Sequence, residues 1–194
     1  MSWMSTVLTR ISLLKNHLRT FTMRASIMAT TEKATFAAGC FWGVEHIYKK
    51  HFGQYGIKTK VGYTGGNTVN PKYREVCSGG THHAEALEID FDPQKVPYEA
   101  LVEFFYKMHD PTTINAQGPD VGTQYRSAIF YHSPEQRAIA EEVTKDVQEK
   151  HYKGKKIITQ IVPADVFYDA ETYHQMYLEK NPNGYECPTH YLRW

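Results

Sequence analysis

Cys40 is the first residue of this chain whose type and position suggest covalent chemistry. It lies in the turn 39–43, Gly-Cys-Phe-Trp-Gly, where a strand-like apolar run gives way to apolar residues at helical spacing. A thiol at a helix start meets unpaired N–H groups and the positive end of the helix dipole, so we expect a lowered pKa and a nucleophilic sulfur. Phe41 and Trp42 would wall a small apolar pocket. The alternative is a small packed residue between two glycines.

A second thiol, Cys187, lies in an irregular tail near the end of the chain. Two roles fit it: a resolving thiol that forms a disulfide with Cys40, or a metal ligand paired with His190 through the spacing Cys-x-x-His. A zinc site needs two further ligands, which the histidines at 82–83 would supply only by coincidence of folding. The three cysteines are too few for a secreted disulfide scaffold, and Cys77 is interpreted as a buried or bystander thiol.

Glu85 follows the histidine pair at the entry to a predicted strand. The pattern His-x-Glu occurs in zinc deaminases, but their Pro-Cys-x-x-Cys motif is missing from the sequence, which excludes that reading. If Glu85 points inward among aromatic rings, burial raises its pKa and makes it a proton donor near neutral pH. If it points outward, it is an ordinary surface carboxylate beside Glu88 and Asp90. The sequence leaves both interpretations open.

Two long polar loops carry the remaining candidates. The loop that ends at Gly79-Gly80 contains Tyr73, and the loop from Asp110 to Thr123 contains Asp120 and leads into Tyr125. Long loops of this kind either line a functional site or use their polar groups to satisfy their own backbone. A phenol can donate a hydrogen bond to a substrate oxygen, although in a chain with 14 tyrosines any single one is more often structural.

Hydrophobic periodicity predicts the elements that position these groups. Helices and strands are interspersed with long loops, which indicates an α+β fold, a two-layer sandwich with a mixed sheet. Residues 34–194 should form a single catalytic domain that includes a mobile C-terminal tail, 181–194. The predicted strands are 35–38, 57–63, 84–91, 126–131 and 157–162, and the predicted helices are 41–52, 98–109, 134–150 and 169–180.

Composition excludes several classes of protein. Lys plus Arg number 22 and Asp plus Glu 21 in 194 residues, so we expect no nucleic-acid partner, and no apolar run is long enough for a membrane span. The first 28 residues differ from the rest: they are basic, contain no acid and have apolar residues at helical spacing. This pattern is typical of a mitochondrial transit peptide within an extension over residues 1–33. Internal starts at Met23 and Met28 would give a cytosolic form.

Six short motifs, taken in order, resemble those of the peptide methionine sulfoxide reductase A family. The match runs from about Thr35 to Arg193, and six motifs in the right order are far more specific than any one alone. The tail around Cys187 is similar to that of fungal-type members with one C-terminal resolving cysteine, whereas many bacterial and animal members carry two. The motifs are Gly39-Cys40-Phe41-Trp42-Gly43, Tyr73-Arg74-Glu75-Val76-Cys77-Ser78-Gly79, His83-Ala84-Glu85, His109-Asp110-Pro111, Gly122-Thr123-Gln124-Tyr125-Arg126-Ser127 and Tyr173-His174-Gln175.

The resemblance implies a reductase of the S epimer of methionine sulfoxide, free or in oxidised proteins. Its methyl group would enter the pocket of Phe41 and Trp42, and its oxygen would be held by a protonated Glu85. Cys40 would attack sulfur and become a sulfenic acid, Cys187 would convert this to a disulfide, and thioredoxin would reduce it. The other site residues implied are Tyr73 and Tyr125 on the oxygen and Asp120 as a hydrogen-bonding support.

The resemblance further implies a ferredoxin-like split β-α-β core and no bound metal, flavin or other cofactor, with thioredoxin as the reductant. We also expect a monomer. Two other classes of function remain open from the residues: a non-catalytic module that binds oxidised methionine in the aromatic pocket, and a cysteine hydrolase. The hydrolase would pair Cys40 with one of His82, His83, His174 or His190.

Overall fold

A six-stranded mixed sheet organises residues 31–194, which are the residues that the computed structural model describes. Helices of 11 to 18 residues form α1, α3 and α4, while α2 and α5 are single turns. The strands are β1 (Glu32–Ala38), β2 (Lys58–Thr64), β3 (Ala84–Phe91), β4 (Ala116–Gln117), β5 (Asp120–Val121), β6 (Ser127–Tyr131), β7 (Gln160–Pro163) and β8 (Tyr168–Asp169). The helices are α1 (Phe41–Phe52), α2 (Tyr73–Cys77), α3 (Tyr98–Met108), α4 (Pro134–His151) and α5 (Tyr177–Lys180), with 3-10 turns at Gly53–Tyr55 and Thr123–Tyr125.

The order of the large sheet is β7-β6-β1-β3-β2-β8. Strand β3 lies between β1 and β2 and is antiparallel to both, so the unit β1-α1-β2 is split by a strand that follows it in the chain. Strand β6 pairs antiparallel with the other side of β1, which completes the ferredoxin-like β-α-β-β-α-β arrangement. The single parallel pair, β6 with β7, makes the sheet mixed. Both parts of the predicted fold class are confirmed.

Alternation along the strands separates two faces. In β3, Leu87, Ile89 and Phe91 belong to the main core under the helices, whereas Ala84 and Ala86 belong to a smaller cluster on the opposite face. Residues two apart on a strand point the same way, so Glu85 lies on the face of Leu87, towards the helix layer. The sheet register therefore decides the direction of this carboxylate.

Aromatic contacts hold the helices on the sheet. The Tyr48 ring of α1 stacks on Phe36 of β1 with 5.6 Å between ring centroids, and its hydroxyl donates to the Leu101 carbonyl of α3 at 2.9 Å. Helix α4 begins where the sequence predicted, because the Ser133 hydroxyl accepts from the Gln136 N–H at 3.2 Å. These contacts hold α1 against β1 and α3, and they set the residue at which α4 begins.

Several predicted bounds are wrong. The loop before Gly79-Gly80 contains helix α2, the loop from Asp110 to Thr123 contains β4 and β5, and the last long strand begins at Gln160 rather than at residue 157. The helix predicted over 169–180 is mostly absent: its first residues form β8, and only Tyr177–Lys180 is helical.

A side chain explains why the segment before α5 is not a helix. The Gln175 amide accepts from the Val61 N–H at 2.9 Å and donates to the Val61 carbonyl at 2.8 Å, so it pairs with the edge of β2 like an extra strand residue. Met176 follows with a φ of 54° and donates its N–H to the Glu45 carboxylate at 2.7 Å. These long-range bonds override the local helical periodicity.

The sequence assigned special roles to both ends of the chain. The predicted targeting segment, residues 1–28, lies outside the described residues, and β1 begins at Glu32, before the predicted domain start at residue 34. The tail 181–194 is packed in this structure: Cys187 is 1% exposed, and the Arg193 N–H donates to the Lys107 carbonyl at 3.0 Å. Among residues 31–194, no helix has the length and apolar character needed to cross a membrane.

Candidate active site

Cys40 is the residue that precedes helix α1, at the end of β1. Its sulfur faces the N–H groups of Trp42 and Gly43 in the first turn, as expected for a thiol at a helix start. The tight turn depends on Gly39, whose φ is 90° and where a Cβ would lie 2.6 Å from the Cβ of Gln117. Cys40 itself is 7% exposed.

The lowered pKa expected for Cys40 is wrong for this structure. Burial raises the pKa of the thiol, the negative charge of Glu85 raises it further, and the N–H groups of the helix start offset only part of this. The helix start alone would lower the pKa of Cys40, but the loss of water around the buried sulfur outweighs that effect. The structure therefore favours the thiol form of Cys40.

Glu85 points inward and is 1% exposed. The Phe41 N–H, another free group of the helix start, donates to its Oε2 at 3.1 Å. Burial raises the pKa of Glu85 to about 8, and the charge of Asp120 adds to this, whereas the Phe41 bond acts against it. Glu85 is thus mostly protonated at neutral pH and can donate a hydrogen bond from the oxygen that Phe41 does not occupy. Of the two interpretations left open by the sequence, the structure shows the inward one.

Aromatic rings that follow Cys40 in the chain cluster around His174. The His174 ring lies 5.1 Å from the ring of Phe41, 5.5 Å from that of Trp42 and 4.5 Å from that of Tyr73, centroid to centroid. Trp42 is oriented by its indole N–H, which donates to His174 Nδ1 at 3.0 Å. Phe41 and Trp42 of helix α1 and Tyr73 of helix α2 therefore share one aromatic cluster around His174.

Tyr73 and Tyr125 both lie close to Glu85. Burial raises the pKa of each phenol, and the charge of Glu85 adds to the shift in both. The charges of Cys40 and Asp120 also act on Tyr125. Both hydroxyls are consequently neutral donors across the physiological range. The structure brings both tyrosines to Glu85 and Tyr125 to Cys40, although they come from separate loops of the chain.

Asp120 lies near both Cys40 and Cys187. The Tyr185 hydroxyl donates to Asp120 Oδ1 at 3.0 Å, and Asp120 is close enough to raise the pKa of Cys187, Cys40 and Glu85 through its charge. Burial is the main cause of the raised pKa of Cys187. All three cysteines of the chain are free thiols, and Cys77 is exposed rather than buried. The structure therefore holds a reduced site in which Asp120 is near both buried thiols.

His190 fastens the tail beside Cys40, a contact that sequence reasoning missed. Its Nε2–H donates to the Ala38 carbonyl at 2.7 Å, and its ring fills the space above two glycines of the nucleophile turn. A Cβ at Gly43 would overlap His190 Nδ1, and one at Gly39 would lie 3.5 Å from Nε2. The sequence signal for this contact was the spacing of Gly39 and Gly43. Four residues apart, they lie on one face of the helix start and leave room for a neighbouring side chain.

Other residues that support the site were also missed. Glu171 accepts from the Tyr63 hydroxyl at 2.9 Å and from the Tyr73 N–H at 3.1 Å, and so fixes helix α2 to the edge of β2. Gln117 accepts from the Asp110 N–H at 3.0 Å and packs on Gly39, which anchors the loop that carries Asp120. The two bonds of Glu171 have no local sequence signal, because they join residues 108 and 98 positions apart.

The structure also bears on the metal and hydrolase alternatives. Within residues 31–194, no cluster of three or more His, Cys, Asp or Glu side chains is arranged to hold a metal ion. His83, one of the proposed ligands, accepts from the Gly66 N–H at 3.1 Å and donates to the Thr68 carbonyl at 2.8 Å. Among the described hydrogen bonds of His83, His174 and His190, none reaches the Cys40 sulfur.

Comparison with known proteins decides the family. The family model described as peptide methionine sulfoxide reductase matches residues 32–192, which is almost all of the described chain. The chain belongs to the peptide methionine sulfoxide reductase family. It is accordingly an oxidoreductase that acts on methionine sulfoxide, and the resemblance inferred from its motifs is confirmed.

Relatives and solved structures agree with this family. The probable peptide methionine sulfoxide reductase of Schizosaccharomyces pombe is 58% identical over 163 residues, which cover 83% of this chain and 96% of that protein. Mxr1 from Saccharomyces cerevisiae in reduced form matches with a TM-score of 0.81 at 45% identity, over 86% of this chain and 94% of that one. Mxr1 in complex with Trx2 matches with a TM-score of 0.59 at 32% identity, over 86% and 93% of the two chains.

Proposed function

We propose that this reductase acts on the S epimer of methionine sulfoxide, free or in oxidised proteins, through a Cys40 sulfenic acid. The proposal rests on the buried thiol of Cys40 and the protonated carboxyl of Glu85, which both lie at the start of helix α1. There the Phe41 N–H donates to the Glu85 carboxyl. A neutral carboxyl donates to a sulfoxide oxygen, whereas a carboxylate would repel it. The walls of Phe41 and Trp42 suit the methyl group of one epimer.

In the first step, the Cys40 sulfur attacks the sulfur of the sulfoxide. Glu85 gives its proton to the sulfoxide oxygen, while Tyr73 and Tyr125 donate hydrogen bonds to it, and the thiol proton of Cys40 passes to Glu85. The hydroxyl so formed moves from the substrate sulfur to the Cys40 sulfur: the sulfur–oxygen bond of the substrate and the transient sulfur–sulfur bond break, methionine leaves, and Cys40 keeps the hydroxyl as a sulfenic acid. Methionine sulfoxide is reduced by two electrons and Cys40 is oxidised by two.

In the second step, the Cys187 thiol attacks the sulfenic sulfur of Cys40. A disulfide forms and the oxygen leaves as water. The dithiol of a thioredoxin then reduces this disulfide by exchange and becomes oxidised itself. The solved complex of Mxr1 with Trx2 supports a thioredoxin as the partner. Disulfide formation needs the two Cα atoms within about 4.4–6.8 Å, so we propose that the tail around Cys187 moves during turnover.

The test is a thiol count on the reduced protein after mixing with each epimer and no added reductant. We expect the S epimer to consume two thiols, mapped by peptide mass to Cys40 and Cys187, and the R epimer to consume none. The Cys187→Ser variant should complete one turnover and then stop with thioredoxin present, whereas Cys77→Ser, the matched control, should turn over normally. Three thiols remaining after both epimers would overturn the reductase mechanism in favour of the binding module. Multiple turnover of Cys187→Ser at the wild-type rate would overturn the resolving role alone.

We also propose where this chemistry takes place. The basic, acid-free residues 1–28 would direct the chain to the mitochondrion, and a start at Met23 or Met28 would leave a cytosolic form that repairs the same substrates. We propose that the catalytic unit acts as a monomer. Fusing residues 1–28 to a fluorescent protein tests the targeting role, and mitochondrial exclusion of the fusion would contradict it.

A further inference from the structure

Two exposed tyrosines lie beside the active site and take no direct part in the proposed reaction. Tyr173 is 58% exposed and Tyr185 is 43% exposed. An aromatic ring brings a large apolar surface, so leaving it in water loses the free energy that its burial would supply. The reduction of a sulfoxide explains neither exposed ring face.

Tyr173 extends the aromatic cluster around His174 into solvent. Its ring lies 4.2 Å from the His174 ring, centroid to centroid, and the His174 ring is 4.5 Å from that of Tyr73 and 5.1 Å from that of Phe41. Phe41 and His174 are buried and Tyr73 is partly buried, so Tyr173 is the most exposed of these four rings. A continuous path of contacts therefore leads from the turn that holds Cys40 to an aromatic surface in water.

Tyr185 reaches the same turn from the β4–β5 hairpin. Its hydroxyl donates to Asp120 at 3.0 Å, and Asp120 is paired with Gln117 across the hairpin. Gln117 packs on Gly39, where a Cβ would lie 2.6 Å from the Cβ of Gln117. The hydrogen bond to Asp120 fixes the Tyr185 ring near the end of β1, next to the nucleophile.

The order of the sheet places the catalytic groups between the two rings. Cys40 follows β1 and Glu85 belongs to β3, whereas Tyr173 follows β8 at the edge of the sheet. Strands β1 and β8 are three positions apart, which is roughly 14 Å, or about four residues of extended chain. A polypeptide that contacts both rings therefore crosses the end of the sheet where Cys40 and Glu85 lie.

We propose that Tyr173 and Tyr185 bind the polypeptide on the two sides of an oxidised methionine and so favour protein-bound over free methionine sulfoxide. The sulfoxide side chain enters the site, and the main chain crosses between the two rings. The ligand is an extended segment with apolar side chains within about two residues of the sulfoxide, since an exposed phenol ring gains most from burial against apolar groups. This inference rests on the proposed function, and it adds a substrate preference to it. The free amino acid has no neighbouring residues to reach either ring.

Single-turnover reduction by the reduced 194-residue protein, without thioredoxin, tests the proposal. The substrates are the free S epimer of methionine sulfoxide and a capped heptapeptide with that epimer at its centre and leucine or valine on both sides. The readout is the ratio of the peptide rate constant to the free amino-acid rate constant, measured by methionine formed. We expect Tyr173→Ser and Tyr185→Ser each to lower this ratio about tenfold, because each removes one ring from the bound peptide.

Two further variants separate the rings from other effects. Tyr185→Phe keeps the ring and loses only the bond to Asp120, so its ratio should stay near that of the wild type. Tyr55→Ser is the matched control, because Tyr55 is also 43% exposed but lies in the 3-10 turn after α1, where its ring contacts Phe52. Its ratio should equal that of the wild type. Lengthening the peptide should raise the rate until about two residues flank the sulfoxide on each side and have little effect beyond that.

Three results would overturn the proposal. Equal wild-type rates with the heptapeptide and the free amino acid would show that nothing beyond the sulfoxide side chain is recognised. A fall in the ratio of Tyr55→Ser as large as that of Tyr173→Ser would show a general effect of losing a tyrosine. Unchanged ratios together with slower thioredoxin-dependent turnover would show that the rings bind the reductant instead. Failure of the proposed function would look different, since neither substrate would then be reduced.

Discussion

At the scale of single residues, the protonation of Glu85 determines what the site can do. Its pKa is raised to about 8 mainly by burial, while the Phe41 N–H holds one oxygen and leaves the other to donate. Burial also raises the pKa of the Cys40 thiol, and the charge of Glu85 raises it further, because two anions side by side in a dry site would repel each other. The pair is stable as thiol and neutral acid, which is the state ready for a sulfoxide oxygen.

We predict a graded loss of activity at position 85. Glu85→Gln keeps a neutral donor in nearly the same place and should lose about tenfold in kcat/KM, whereas Glu85→Ala removes the donor and should lose about a hundredfold or more. Because the protonated form is the active one, wild-type activity should fall as the pH rises through about 8. The Gln variant cannot ionise there and should lack this alkaline decline. Equal losses in the two variants, or an unchanged alkaline limb in Glu85→Gln, would contradict the donor role.

The sequence left the direction of Glu85 open until the core face of β3 was known, and it held no signal for the pKa of Cys40. Glu85 alternates in phase with Leu87 and Ile89, so once these residues are assigned to the core the carboxylate must point inward. The pKa of Cys40 depends on how much water the tail, the β4–β5 loop and Glu85 exclude from the sulfur. Those elements arrive from distant parts of the chain, and no local pattern predicts their combined effect.

At the scale of elements, long periodic segments were predictable and segments held by tertiary bonds were not. Strand β3 has the predicted bounds, and helices α1, α3 and α4 agree to within one residue, because their apolar faces repeat over several turns. The region 169–176 fails for the opposite reason. The Gln175 side-chain amide bonds the backbone of Val61, and the Met176 N–H donates to the Glu45 carboxylate; both contacts join residues more than a hundred positions apart.

The element that most affects the site is the C-terminal tail, which His190 fastens to helix α1. We predict that Gly43→Ala destabilises the protein by about 1–3 kcal/mol, although alanine is the better helix former, because the new methyl group overlaps His190 Nδ1. Displacing His190 should release the tail, so Cys187 should react faster with an alkylating reagent. Denaturant unfolding and timed alkylation followed by peptide mapping measure the two effects.

Gly53→Ala is the matched control for this change. Gly53 directly follows α1 with a helical φ of −56°, and a Cβ there meets no atom within 4 Å. That variant should be as stable as the wild type or gain up to about 1 kcal/mol, with unchanged alkylation of Cys187. A stable Gly43→Ala variant with a protected Cys187 would show that His190 does not hold the tail.

At the scale of the whole molecule, one buried histidine connects the helix layer to the sheet. His109, at the end of α3, donates from Nδ1 to the Phe105 carbonyl at 2.6 Å and accepts at Nε2 from the Ser127 hydroxyl of β6 at 2.8 Å. Ser127 in turn bonds Thr159 at 2.8 Å, ahead of β7. Burial lowers the pKa of His109 to about 3. The neutral ring is therefore part of the folded structure, and protonation would break its bond with Ser127.

This arrangement makes stability fall with acidity. The unfolded chain binds a proton on His109 near its ordinary pKa of 6.5, while the folded chain resists protonation until about 3. Over that interval the unfolded state holds more protons. Through this one group, the free energy of unfolding should therefore decrease by up to about 1.4 kcal/mol for each unit by which the pH falls. The group contributes fully above pH 6.5, and its contribution disappears near pH 3.

The prediction is checked by denaturant unfolding at several pH values between 4 and 7. His109→Asn keeps a donor towards Phe105 but cannot titrate, so it should be less stable than the wild type at pH 7 and should lose less stability on acidification. The difference between the two proteins isolates His109 from buried acids such as Glu45 and Glu85, whose raised pKa values act with the opposite sign. The exposed His82→Asn variant, at a φ of 55° that asparagine adopts readily, controls for the loss of one histidine. Parallel pH dependences in wild type and His109→Asn would mean that acid acts on the fold elsewhere and that the link from α3 to the sheet does not sense pH.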